Sequence, residues 1–219
     1  MNVKKHVMMI ASLIVIAMSI SVQAMSFKKE YLDEMLFDAA KRNDVERMKF
    51  WLAQKNVDVN YQDKAGATAL MEAAEYNSKD VAQLLIDKGA DLNLKDNRSY
   101  TALMLAALEG AHDIVRLLID KEADLNLKNV YGNTALIIAA HVGDEDVVQW
   151  LINAGAHLHL KNNKGQTAYD RAVEKKKPEI IQMLKEAQKF EIARKGSRFV
   201  DVQKRMQQIG TSDMGFRFE

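Results

Sequence analysis

Along most of this 219-residue chain the apolar residues come in pairs of short bursts, separated by polar turns. From Thr68 the apolar positions are Leu70, Met71, Ala73 and Ala74, and from Ser78 they are Val81, Ala82, Leu84 and Leu85. Spacings of three and four put each set on one face of an α-helix, so the pattern predicts two amphipathic helices in close succession. Thr68 and Ser78 stand where those helices begin, as N-cap residues able to accept a hydrogen bond from an unpaired N–H of the first turn. Helices of about ten residues are marginal alone in water, so each must bury its face against a neighbour.

The pattern then returns with a fixed period. Thr68, Thr101, Thr134 and Thr167 are 33 residues apart, and Ala73-Ala74, Ala106-Ala107 and Ala139-Ala140 keep the same register. Leu84-Leu85, Leu117-Leu118 and Trp150-Leu151 do so as well. A period of this length, built from units that cannot each bury their own face, predicts an all-α solenoid of stacked helix-turn-helix units with projecting turns. The small alanine pairs let first helices approach closely. Gly89 and Gly155 fall where a helix end calls for a left-handed residue, and Gly66, Gly132 and Gly165 fall at the tips of the turns. Glu122 and Ser99 break those two rules, which predicts local strain of about 1 kcal/mol at each.

These residues resemble the ankyrin repeat, with its Thr-Pro-Leu-His, Ala-Ala, Val-x-x-Leu-Leu and Gly-Ala-Asp-x-Asn. The resemblance covers roughly residues 31 to 188. Thr-Ala-Leu-Met at 68–71 and 101–104, and Thr-Ala-Leu-Ile at 134–137, depart from it consistently. An apolar residue replaces the family's inter-repeat histidine, so drier packing with fewer polar bonds between repeats is expected. The domain reading is a capping repeat over 25–62, repeats over 63–95, 96–128 and 129–161, and a polar C-terminal capping repeat with an extended helix over 162–195. Asn43-Asp44 would start the second helix of the first repeat, and Pro178 the final helix, which would run towards Arg194.

The ends of the chain differ. Lys4 and Lys5 precede an apolar run from Val7 to Ile20, followed by Ser21-Val22-Gln23-Ala24, the three parts of a signal peptide cleaved after Ala24. Val7 to Met25 could alternatively serve as an uncleaved anchor, and Met25 could be the true start. The expected location is periplasmic or secreted. Losing residues 1–24 takes two of the 31 basic side chains and none of the 30 acidic ones, leaving a net charge of −1. A neutral chain is poorly suited to gripping phosphate backbones, so no nucleic-acid partner is expected. With no cysteine in the chain, export brings no disulfides and no cysteine metal site. Residues 196–219 lose the repeat and read as a flexible tail, in which Phe199, Phe216 and Phe218 could dock on the stack or on a partner.

No catalytic constellation is present, so no enzyme and no cofactor are expected. His157 and His159, with His141 upstream, come nearest to a metal site, but zinc generally takes three or four ligands and these histidines read as turn residues. Asp91-x-Asn93 and Asp124-x-Asn126 read as backbone-bonding turn residues. Asn97-Arg98-Ser99 is a glycosylation sequon on a turn.

The resemblance implies that the turns and first helices form a concave surface that binds another protein. On that surface Arg98, Tyr100, Leu108, Tyr131, His141 and Val142 form an apolar and aromatic cluster on the third and fourth repeats, with Tyr76 at its edge. Tyrosine and arginine are common energetic anchors of interfaces. The expected function is therefore non-catalytic binding by a monomer that has no membrane segment once the leader is removed. Alternatives are an inhibitor or immunity-type partner of a toxic enzyme, or a membrane-tethered adaptor.

Overall fold

A computed structural model describes residues 34–54 and 57–193. Among the described residues the regular structure is entirely helical. Helix α1 covers 34–41, α2 Val45–Leu52, α3 Ala69–Glu75, α4 Lys79–Asp87 and α5 Ala102–Glu109. They are followed by α6 His112–Asp120, α7 Ala135–Val142, α8 Glu145–Asn153, α9 Ala168–Glu174 and α10 over 178–193. None of these helices is long and apolar enough to cross a membrane.

The helices stack in two layers. The first helices pack in series, α3 on α5, α5 on α7 and α7 on α9, while α2, α4, α6 and α8 form the second layer. The alanine pairs Ala73-Ala74, Ala106-Ala107 and Ala139-Ala140 are fully buried at the seam, as are Leu70, Leu103 and Leu136. Met71, Met104 and Ile137, at the position where the family has histidine, are also buried, so the helix layers are dry as expected.

Caps define the helix starts. Thr68, Thr101 and Thr134 each accept the N–H three residues on, at 3.2 to 3.3 Å. Thr167 and Asp170 form a reciprocal capping box at the start of α9. Ser78 departs from its expected role, because it is buried at the start of α4 and makes no cap bond. The cap comes instead from the preceding repeat, where Asn43 Oδ1 accepts the Val81 N–H at 3.1 Å and Asn43 Nδ2 donates to Asp80.

The expectation of few polar bonds between repeats fails for the turns and connections, where such bonds are most regular. Asn60, Asn93 and Asn126 each accept, through Oδ1, the N–H of the residue 31 positions on, namely Asp91, Asp124 and His157, at 2.8 to 2.9 Å. Asp91 and Asp124 in turn accept the N–H of Asn93 and Asn126. The turns bond through their backbones, Asn97 N–H to Ala65 O, Val130 N–H to Arg98 O and Asn163 N–H to Tyr131 O. The family histidine's linking role has passed to asparagines outside the helices.

Both irregular positions adopt the strained conformation that the sequence implies. Ser99 has φ +59° and Glu122 φ +61°, while Gly66, Gly132, Gly89 and Gly155 occupy the equivalent sites with φ between +76° and +86°.

Candidate partner-binding face

Turns and first helices form one side of the stack, and each repeat contributes the same positions to it. The helix positions nearest the turns run, repeat by repeat, through Asp38, Glu72, Leu105, Ile138 and Arg171. The next row towards the helix ends runs through Lys41, Glu75, Leu108, His141 and Glu174. Repetition of the scaffold thus converts sequence differences at fixed offsets into a gradient across a surface.

The middle of that surface is apolar. Leu108, Tyr131 and Val142 are 38%, 55% and 40% exposed, and Val130 beside Tyr131 is 48% exposed. Leu105, in the adjoining row, is partly buried and Ile138 nearly fully so. Tyr76 is 52% exposed on the preceding repeat, with Lys41 5.7 Å from its ring centre.

Two residues of the expected cluster are placed differently from the rest. Tyr100 is half-buried, its ring 5.7 Å from the exposed Arg98 guanidinium. Burial, and then the neighbouring Tyr131, raise its phenol above the usual tyrosine range. His141 is also half-buried and is held from below by the last repeat, where the Arg171 guanidinium donates to its Nδ1. Burial first, and then Arg171 and Lys175, push His141 below the ordinary histidine range, so its ring is neutral at pH 7. Arg171 also donates to Glu174 at 2.8 Å, and Glu174 accepts from Gln166 at 2.7 Å. Tyr100 and His141 thus serve the scaffold as well as the surface.

One feature of this face is absent from the sequence reading. A recess of about 440 Å³ opens at its N-terminal end, between α1, α3 and the turn of the second repeat. Phe37 and Tyr61 line it with rings edge to face at 6.2 Å, together with Glu34, Asp38, Asp63 and Glu72 and the bases Lys41 and Lys64. Burial raises the Glu72 carboxyl above the usual range, which Lys41 at 3.5 Å only partly offsets. No single repeat has a sequence signature for this recess, because it arises where the turnless first repeat meets the second.

The remaining candidates resolve into scaffold roles. His157 donates its backbone N–H to Asn126, and His159 lies 3.4 Å from Glu191. No group of three or more His, Asp or Glu residues placed to hold a metal occurs among the described residues. In the sequon, Asn97 Nδ2 donates to Lys64 O at 3.0 Å, so sugar attachment there would disturb a bond between repeats. The leader over 1–24, the alternative start at Met25, and Phe199, Phe216 and Phe218 lie outside the described residues.

The family model for ankyrin repeats, three copies to the unit, matches residues 36–129 and 123–195. The chain belongs to the ankyrin repeat family. Ankyrin repeats generally mediate protein–protein interaction and are typically non-catalytic. A search of curated proteins gave no match.

Proposed function

We propose that this ankyrin-repeat protein binds one partner protein, without catalysis, through the face built by its turns and first helices. The supporting observation is that Leu108, Tyr131 and Val142, from the third and fourth repeats, are all substantially exposed. None of the three side chains belongs to the hydrophobic core, whereas their neighbours Ile137, Ala139 and Ala140 are buried. Clustered apolar exposure with a charged surround is the usual form of an interface centre. Tyr76 and Arg98 extend the contact at its edge, and Tyr100 and His141 hold its floor. The partner is a protein of the exported compartment, since the leader has a cleavable form, and the ankyrin protein acts there as a monomer. An inhibitory or immunity-type role towards a toxic enzyme is one form such binding could take.

The test is affinity capture from the exported fraction of the source, with tagged full-length protein as the source processes it. Beside it runs a Leu108→Ala, Tyr131→Ala, Val142→Ala variant shown by circular dichroism to be folded. Loss of a captured protein from the variant supports the reading, and equal capture overturns it. The mass of the purified amino terminus decides export separately. A chain starting at Met25 and recovered in the exported fraction means a cleaved leader, the same chain confined to the cell interior means a start at Met25, and an intact leader means a tethered adaptor.

A further inference from the structure

The apolar centre just described lies between two ends of opposite character. Towards the first repeats, the row Asp38, Glu72 and the next row's Glu75 are acidic, and the recess beside them carries four acids against two bases. Asp38 is taken up by Arg42 and Arg47, at 2.8 and 3.4 Å. Asp63 is occupied by the N–H groups of Ala65 and Ala67. Glu72 is left with a single long pair to Lys41, and Glu75 is exposed with no ion pair among the described residues. Towards the last repeat the same rows reach Arg171 and Glu174, with Lys175 beside them and Lys164 at the tip of the facing turn. Lys164 and Lys175 are exposed and make no ion pair among the described residues.

On the outer helices one such charge does find a partner, Lys79 pairing with Asp113 at 3.2 Å. Glu75, Lys164 and Lys175 have no such partner among the described residues, and the apolar positions of the third and fourth repeats lie between the two ends in the order of the repeats.

We propose that the partner presents to this face a segment with one large apolar anchor, a basic flank over the recess of the first two repeats and an acidic flank over Lys164 and Lys175. The anchor covers Leu108, Tyr131 and Val142. A lysine or arginine suits the recess because the Phe37 and Tyr61 rings can pack its stem while Glu72 and Glu34 meet its charge. This inference rests on the proposed binding face and adds the chemistry and polarity of what is bound.

Three twelve-residue peptides test it, sharing a central Leu-Trp-Leu. One carries lysines on one flank and glutamates on the other, one lysines on both, and one glutamates on both. Binding to the full-length protein is read by fluorescence anisotropy. The mixed peptide should bind about tenfold tighter than either other at low salt, as expected from two or three surface charge pairs. The margin should shrink towards unity at high salt. Lys164→Glu with Lys175→Glu, both at exposed sites, should transfer the preference to the lysine-flanked peptide, and Glu75→Lys should weaken the mixed and lysine-flanked peptides relative to the glutamate-flanked one. Equal binding of all three, no detectable binding, or an order unchanged by the Lys164→Glu, Lys175→Glu protein overturns the polarity. The Leu108→Ala, Tyr131→Ala, Val142→Ala protein separates the two ideas. If it binds the mixed peptide as well as the parent does, the binding face itself is wrong. If it loses binding while the parent ranks the peptides equally, only the polarity is wrong.

Discussion

The glycines of this chain are demanded for two different reasons, and the difference decides what each substitution would cost. At Gly89 and Gly155 a Cβ would meet nothing within 4 Å, so only the positive φ favours glycine. A side chain there carries only the cost of a left-handed backbone, about 1 kcal/mol, which is how Glu122 is tolerated at the same position. At Gly66 and Gly132 a Cβ would lie 2.9 and 2.7 Å from the backbone nitrogen of Asn97 and Asn163, and still closer to their Oδ1 atoms. The next turn is pressed against the glycine. Ser99 holds this position in the third repeat, and there the following turn presents Val130 where its neighbours present asparagine. A valine has no amide oxygen to collide with the Ser99 Cβ, which removes the side-chain part of the clash and leaves only the approach of the backbone nitrogen. Gly132→Ala should therefore cost roughly 2–3 kcal/mol and Gly155→Ala about 1 kcal/mol in urea unfolding, a difference that vanishes if backbone conformation alone matters. Glu122→Gly should be neutral to mildly stabilising, by up to about 1 kcal/mol, its relief of strain being partly offset by unfolded-state entropy.

Between elements, stability depends on contacts that one repeat makes to the next. Asn43 caps α4 from the first repeat, and Asn43→Ala should cost about 1 kcal/mol, the usual value of a cap, although the residue lies outside the helix it caps. Ser78→Ala should change little through capping, since that hydroxyl makes no such bond. At the other end His141 and Arg171 join α7 to α9. Because His141 is held below the normal range when folded, the unfolded chain binds the proton more readily. The stability due to the neutral ring is complete above the unfolded pKa of about 6.5 and is lost as pH falls through the folded value. Melting temperature should decline on acidification below pH 6.5, and His141→Gln should flatten that decline; a profile identical to the parent's would show that another group governs it. Asp170 shifts downward because Thr167 bonds its carboxylate, so its contribution is lost at lower pH, as the capping box protonates.

At the scale of the molecule, the main helix contacts among the described residues fall within a repeat or between neighbouring repeats, and the buried seam and the exposed face can be altered separately. Ile137→Ala, at a fully buried site of the fourth repeat, should cost about 3–4 kcal/mol. Tyr131→Ala, a few residues earlier and more than half exposed, should change stability by less than about 0.5 kcal/mol while weakening partner capture. A large stability loss from Tyr131→Ala would mean that the residue belongs to the scaffold and not to an interface. The polarity of the face is a whole-molecule property, since its acidic and basic ends lie on different repeats.

The sequence alone determined the helix pairs, their period, the seam of alanines and leucines, and the two strained positions, because short-range spacing and residue size dictate all of these. It also marked Tyr76, Leu108, Tyr131 and Val142 as surplus to the fold, since a repeat exposes whichever positions its pattern does not need. Other features were settled only when neighbouring repeats came together. Asn43 replaced Ser78 as a cap, asparagine ladders took over from the missing histidine, and Tyr100 and His141 were drawn half inside. The recess beside Phe37 and Tyr61 appeared in the same way. The physical reason is that each of these depends on the distance between atoms far apart in the sequence, about 24 residues for Phe37 and Tyr61 and 38 for Asn43 and Val81, which stacking fixes and which no single repeat encodes.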